Sequence, residues 1–375
     1  MFPNEAPEAV AKINALALMD ASPEEKFKIQ IAESRRLLLE KTKYPSESQP
    51  LALKSDLLLP HHAEPSTHGI KSPGGKVLVT QAQDRVWVAP GQPAVVMITA
   101  KLDGAPVSVQ FDSAQLVRHL DGQPDTVLGT VGFTDSGSAP DQFASDGTYT
   151  GLVTTPNDGT GASLTLTVLM QAGGESGTLI FQFVQTASAP AVFTQTARDV
   201  LEHGSIAIYV GIQVQKAGVY EIQGRLYDSG GAPIAYMRFY DQLTTDSTEV
   251  RLLAYGKVIL DEGGVPPFVL RDVEGWRMVV GEYPDRELMT DWPAGYTTAK
   301  YDLSQLTGAD YEGADKQLRL QQLSQTEQNG LNDIHNGLPA PGVPTVPGAS
   351  TGVAPGAAPT APAPSGATST EPTKH

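Results

Sequence analysis

At 375 residues, with a net charge of −16, a pI near 4.8 and no cysteine, this chain excludes several classes of chemistry at the outset. It has no thiolate for a zinc site, a disulfide or a nucleophile, and no basic stripe to neutralise nucleic-acid phosphates or an anionic membrane surface. Hydrophobic residues at 40% supply enough material for packed cores, and 37 glycines and 29 prolines imply many turns.

The start, Met1-Phe2-Pro3-Asn4-Glu5, carries no basic n-region or apolar h-region. The expectation is that the numbering begins after a removed or omitted leader. No uninterrupted apolar run approaches the roughly 18–20 residues of a membrane helix, so no integral membrane segment is expected.

Residues 1–45 predict a helical hairpin. Val10, Ile13 and Ala17 share one helical face. Ser22-Pro23-Glu24-Glu25 then offers an N-cap, a first-turn proline and a capping box, and Phe27, Ile31 and Leu38 continue at helical spacing. Tyr44-Pro45 ends the pattern, because the residue before proline avoids the α region. Residues 46–74 are a polar connector punctuated by proline, with His61, His62 and His68.

Residues 75–188 predict an antiparallel Ig-like β-sandwich. The runs from Val77, Arg85, Val95, Val107, Leu164 and Thr178 are β-branched or alternating. Turn pairs such as Asp103-Gly104, Asp158-Gly159 and Gly173-Gly174 separate them. Within this block, Asp121 to Phe143 is small and polar and predicts a long exposed loop. Asp146-Gly147-Thr148-Tyr149 is placed at a tyrosine corner, where a phenol bonds back to nearby backbone.

Pro190 is expected to act as a hinge. Residues 189–306 predict a second sandwich, opening on the clean alternation of Ile206 to Val214 and continuing through strands near Tyr220, Ile234, Thr248, Gly256, Pro267 and Trp276. Residues 307–336 hold a weak helical pattern with Leu318, Leu320 and Leu323, and 337–375 form a Pro/Ala/Gly-rich tail expected to be disordered. The fold class is therefore mainly β, two tandem sandwiches with helical flanks.

Chemistry is sparse. There is no G-x-S-x-G elbow, no P-loop and no dinucleotide fingerprint, and paired acids such as Asp261 and Glu262 are expected by chance at this net charge. No catalytic residue and no cofactor is assigned. Asp135, Asp141 and Asp146 are oxygen donors in one loop, which leaves calcium as a weak alternative, although the alternating spacing of an EF-hand is missing. The three connector histidines lack the Cys or Glu that would complete a zinc spacing. Trp292-Pro293-Ala294-Gly295-Tyr296 reads as a loop, so Trp292 and Tyr296, with Tyr283, are the candidate exposed contact residues for a partner. The competing reading for these aromatics is core packing.

The run Gly218-Val219-Tyr220-Glu221-Ile222-Gln223-Gly224-Arg225-Leu226-Tyr227, with Gly231-Ala232-Pro233, Val250 to Leu253 and Pro267 to Val273, resembles the C-terminal module of bacterial choice-of-anchor X surface proteins. Asp146-Gly147-Thr148-Tyr149 is similar to the Ig-like module before it, and the likeness covers most of residues 24–305. It implies an exported protein, periplasmic or at the cell surface, with no catalytic residues and with another envelope protein or surface component as partner. The expected function is a non-enzymatic structural or protein-interaction module. The alternative is a carbohydrate-binding or hydrolase-accessory sandwich that uses loop aromatics, Trp276 and Trp292 among them.

Overall fold

The computed structural model describes residues 21–52, 65–72, 75–281, 284–339 and 342. The expected helix with Val10, Ile13 and Ala17, the connector residues His61 and His62, the candidate contact Tyr283 and nearly all of the tail lie outside the described residues. The chain forms two units. One takes a helix from each end of the sequence, and the other is the β-rich stretch Thr42–Tyr311.

Helices α1 (Pro23–Lys41), α2 (Gly256–Asp261) and α3 (Ala314–His335) lie in the described residues. The start of α1 is fixed by reciprocal capping: the Glu25 amide donates to Ser22 Oγ at 3.2 Å, and the Ser22 amide donates to Glu25 Oε2 at 2.8 Å. The apolar stripe of α1 packs on α3, not on a sequence neighbour. Phe27 and Ile31 meet Leu323, with Leu331 and Ile334 alongside. Arg35 pairs with Glu327 at 2.8 Å and Glu24 with His335 at 3.3 Å, so the two helices run antiparallel. Isolated helices of this length are marginal in water, and the shared stripe is what stabilises both.

In the β unit, β1 (Ser48–Pro50) joins the second sandwich. The first is built from β2 (Ser66–Ser72), β3 (Gly75–Gln83), β4 (Trp87–Val88), β5 (Pro93–Leu102), β6 (Ala105–Pro106), β7 (Val109–His119), β8 (Thr126–Thr130), β9 (Phe133–Thr134), β10 (Tyr149–Thr154), β11 (Ala162–Ala172) and β12 (Glu175–Gln185). One layer orders β2-β3-β5-β10-β9, the other β4-β12-β11-β7-β8. Pairing is antiparallel except for β4 on β12. Strand β11 shows why: Leu164, Leu166, Val168 and Met170 point inward, while Ser163, Thr165 and Thr167 face out. Their inner partners include Val96, Ile98, Phe181 and Phe183.

The second sandwich uses β13 (Ala191–Glu202), β14 (Ser205–Val214), β15 (Gly218–Tyr227), β16 (Pro233–Leu243), β17 (Glu249–Ala254), β18 (Val269–Met278), β19 (Arg286–Leu288) and β20 (Tyr296–Thr297). A layer ordered β1-β16-β15-β18-β19 faces the three-stranded layer β13-β14-β17. Ile208, Ile212, Ile222, Leu226, Leu252 and Phe268 fill the space between.

Several expectations are corrected. The stretch from Asp121 to Phe143 is not one loop, because β8 and β9 lie inside it. β8 is an edge strand exposed except at Leu128, which is half-buried against the core, so no inward-facing alternation marks it in the sequence. The connector holds β1 and β2, and β1 is held by backbone pairing to β16. Gly256 to Leu260 is a helical turn, since a short apolar run does not distinguish the two states. Pro190 is no free hinge: its carbonyl accepts from the Gln215 and Lys216 amides and from the Tyr220 hydroxyl. The backward-bonding phenol of a tyrosine corner belongs to Tyr220, which donates to Lys216 O at 2.6 Å. Tyr149 instead accepts from the Val109 amide at 3.2 Å.

Candidate functional site

The expected aromatic contact patch is the first test of the site. Trp292 is only 7% exposed and belongs to the core of the second sandwich. Its backbone forms a two-way bridge with Val273, and Gly295 presses the loop onto β18. Gly295 has φ +65°, and a Cβ there would fall 1.6 Å from Leu270 O, so only glycine permits this approach. The loop is thus folded inward, which corrects the reading of Trp292 as an exposed contact. Tyr296 is half-buried, and its phenol donates to Asp199 Oδ1 on β13. The Tyr301 phenol and the Ala299 amide complete that carboxylate's set of donors. Tyr296 therefore staples residues 296–301 to β13. Burial, and then the bond to Asp199, push the Tyr296 hydroxyl up to about 12.

A different pair of tryptophans converges where the two sandwiches meet. Trp87 on β4 and Trp276 on β18 flank the Arg286 guanidinium, with centroids 4.8 and 5.6 Å from its carbon. Beside this stack, Asp291 Oδ2 accepts from Arg85 at 3.0 Å and from Gln92 at 2.7 Å, binding one sandwich to the other. Arg225, 2% exposed, lies behind the joint and donates to Glu274 at 2.8 Å and to Asp272 O at 3.0 Å. On β19, burial acts to raise the Glu287 carboxyl, but bonds from Lys216 and Arg277 outweigh it and hold the group below its ordinary value.

The joint encloses a cleft. A cavity of about 380 Å³ is walled by Pro93, Asp272, Thr290 and Pro293. A pocket of about 140 Å³ beside Trp87, Trp276 and Arg286 adjoins it. Both share Arg85, Gln92, Glu274 and Asp291. Asp272 sits at a bulge in the β15–β18 ladder with φ +51°, a left-handed conformation uncommon outside glycine.

Two other clusters were open to chemistry. Asp135, Asp141 and Asp146 do come together, with carboxylate oxygens within 4.8 Å of one another. Their charge is largely spent on backbone: Asp141 accepts from Gly137, Asp135 from Asp146 and Gly147, and Asp146 from Thr148. Oxygen donors of this kind suit a hard cation such as calcium, and the same bonds equally serve to fold the loop. His68 bonds Ser66 Oγ at 2.9 Å on β2. His119 at the end of β7 lies 2.8 Å from Asp125 in the β7–β8 turn and 3.0 Å from Thr165 Oγ1 on β11, an Asp-His-hydroxyl order that the sequence reading missed because Thr165 lies 46 residues further along the chain. It stands on the outward face of β11. Catalysis by such a set needs amide donors aimed at an oxyanion, and the amides around Thr165 serve the ladders to β7 and β12.

No family model and no curated protein matches the chain. Among solved structures, it is similar to a DUF4785 family protein from Legionella pneumophila, at 12% identity and a TM-score of 0.35, over 59% of this chain and 57% of that one. It is also similar to the chicken CNTN1 FN1-FN3 domains, at 12% identity and a TM-score of 0.20, over 60% of this chain and 78% of that one. The chain thus spans less than two thirds of the Legionella protein's length. At these values, the sandwich architecture stands on the chain's own strand pairing.

Proposed function

We propose that this chain is a non-enzymatic structural and interaction module of an exported protein, in the manner of the choice-of-anchor X surface proteins its sequence resembles. The observation that carries the reading is the joint between the sandwiches. Asp291, Arg85 and Gln92 on one side and the Trp87–Arg286–Trp276 stack on the other tie the two small folds to each other. A spacer that presents loops at a fixed separation needs ties of this kind, which flexibly linked domains lack. The side-chain-filled interiors support the same reading. Fractionation of the cells that make the protein tests it. The native protein is expected in the envelope or the medium, cross-linked to an envelope component, and its recovery wholly from the cytosol would overturn the proposal.

A further inference from the structure

The cleft at the joint has a composition that a mere seam between two folds does not require. The chain as a whole carries a charge of −16, yet the cleft mixes both signs. Asp272, Glu274 and Asp291 stand with Arg85 and Arg286 within it and Arg225 directly behind Glu274, while Asp84 and Asp285 pair with the two lining arginines from outside. A charged ligand of either sign would meet repulsion as well as attraction there. A neutral ligand rich in hydroxyls would find donors and acceptors side by side.

The geometry points to a neutral saccharide as the ligand of this cleft. Carboxylate, guanidinium and carboxamide groups each offer paired, coplanar hydrogen-bonding positions that match adjacent hydroxyls. The rings of Pro93 and Pro293 and the half-buried Trp276 give apolar walls for the C–H faces of a sugar ring. The cavity of about 380 Å³ lies in the usual small-molecule range of roughly 300–1,000 Å³. Asp272 adds a separate observation. Its backbone holds a conformation that glycine would adopt without strain, and its carbonyl is clamped by Arg225. Among the described residues its carboxylate takes no ion pair, so the side chain is kept at a conformational cost with its oxygens free to meet a ligand. This site uses Trp276 and Trp87, not the buried Trp292, and it stands or falls independently of where the protein resides.

The test is titration of the full chain with neutral oligosaccharides (cellopentaose, xylopentaose, maltopentaose and chitopentaose), followed by tryptophan fluorescence and calorimetry. At least one is expected to saturate in the micromolar to millimolar range with a change in emission from the two cleft tryptophans. Asp272→Gly suits the left-handed backbone and is expected to fold with an unchanged or higher Tm while losing tenfold or more in affinity. If all four sugars leave fluorescence and heat unchanged at millimolar concentration, if spermidine binds in their place, or if Asp272→Gly binds sugar as tightly as the parent, the assignment is wrong.

Discussion

Single hydroxyls and guanidinium groups hold much of this molecule's geometry in place. The Tyr220 phenol is fully buried and bonds two carbonyls, Pro190 O and Lys216 O. Tyr220→Phe is expected to cost about 1–2 kcal/mol, read as a lower urea midpoint at unchanged slope. Burial raises the Tyr220 phenol to about 12, and burial with the Asp199 bond does the same for Tyr296. An unfolded chain ionises tyrosine near pH 10. The stability these two groups contribute is therefore complete below about pH 10 and is lost as pH rises from there to about 12. Phenolate absorbance should show a late-titrating class, and Tyr220→Phe and Tyr296→Phe should each remove one group from it; a single transition near pH 10 would contradict the structure. Arg286 is the third case. Arg286→Ala removes one cation from two indoles and is expected to destabilise by about 1–2 kcal/mol, with altered emission from Trp87 and Trp276.

Among the elements, the pair α1 and α3 depends on the fewest residues. Phe27, Ile31 and Leu323 form its buried cluster, and neither helix has a long apolar face of its own. Leu323→Ala is expected to cost this pair about 2–3 kcal/mol. Amide exchange should then accelerate in both helices together, although the altered side chain lies in only one. Acceleration confined to 314–335 would mean that α1 is stabilised by something other than this contact. The segment that begins with β20 is an element of a different kind. Residues 296–301 have little regular structure, yet three donors on Asp199 fix them to β13.

For the molecule as a whole, the consequence of the joint is cooperative unfolding. Asp291 is the acceptor shared by Arg85 and Gln92, so Asp291→Ala cuts both links and leaves the two cores untouched. Calorimetry of the parent β unit is expected to show one transition for both sandwiches, and the variant to show two, because each sandwich has its own filled core. One unchanged transition in the variant would mean that the remaining links, the Trp–Arg–Trp stack and the Leu288 amide to Thr186 Oγ1 among them, couple the two without Asp291.

The sequence by itself determined the class of fold, the inward-facing residues of strands such as β11 and the start of α1. Those signals are local: alternation at a period of two, turn pairs with a fixed spacing, and a capping box three residues wide. It also named Asp135, Asp141 and Asp146 as neighbours, since one loop holds all three. Tertiary structure decided what depends on distant partners. Trp292 looks like a loop residue until Gly295 folds its loop onto β18, and β8 carries no pattern because an exposed edge strand needs none. The cleft joins Arg85, Trp87 and Gln92 to residues some 180–200 positions later. No periodicity records such a meeting, because it is set by how two finished folds pack and not by the local preferences that built either one.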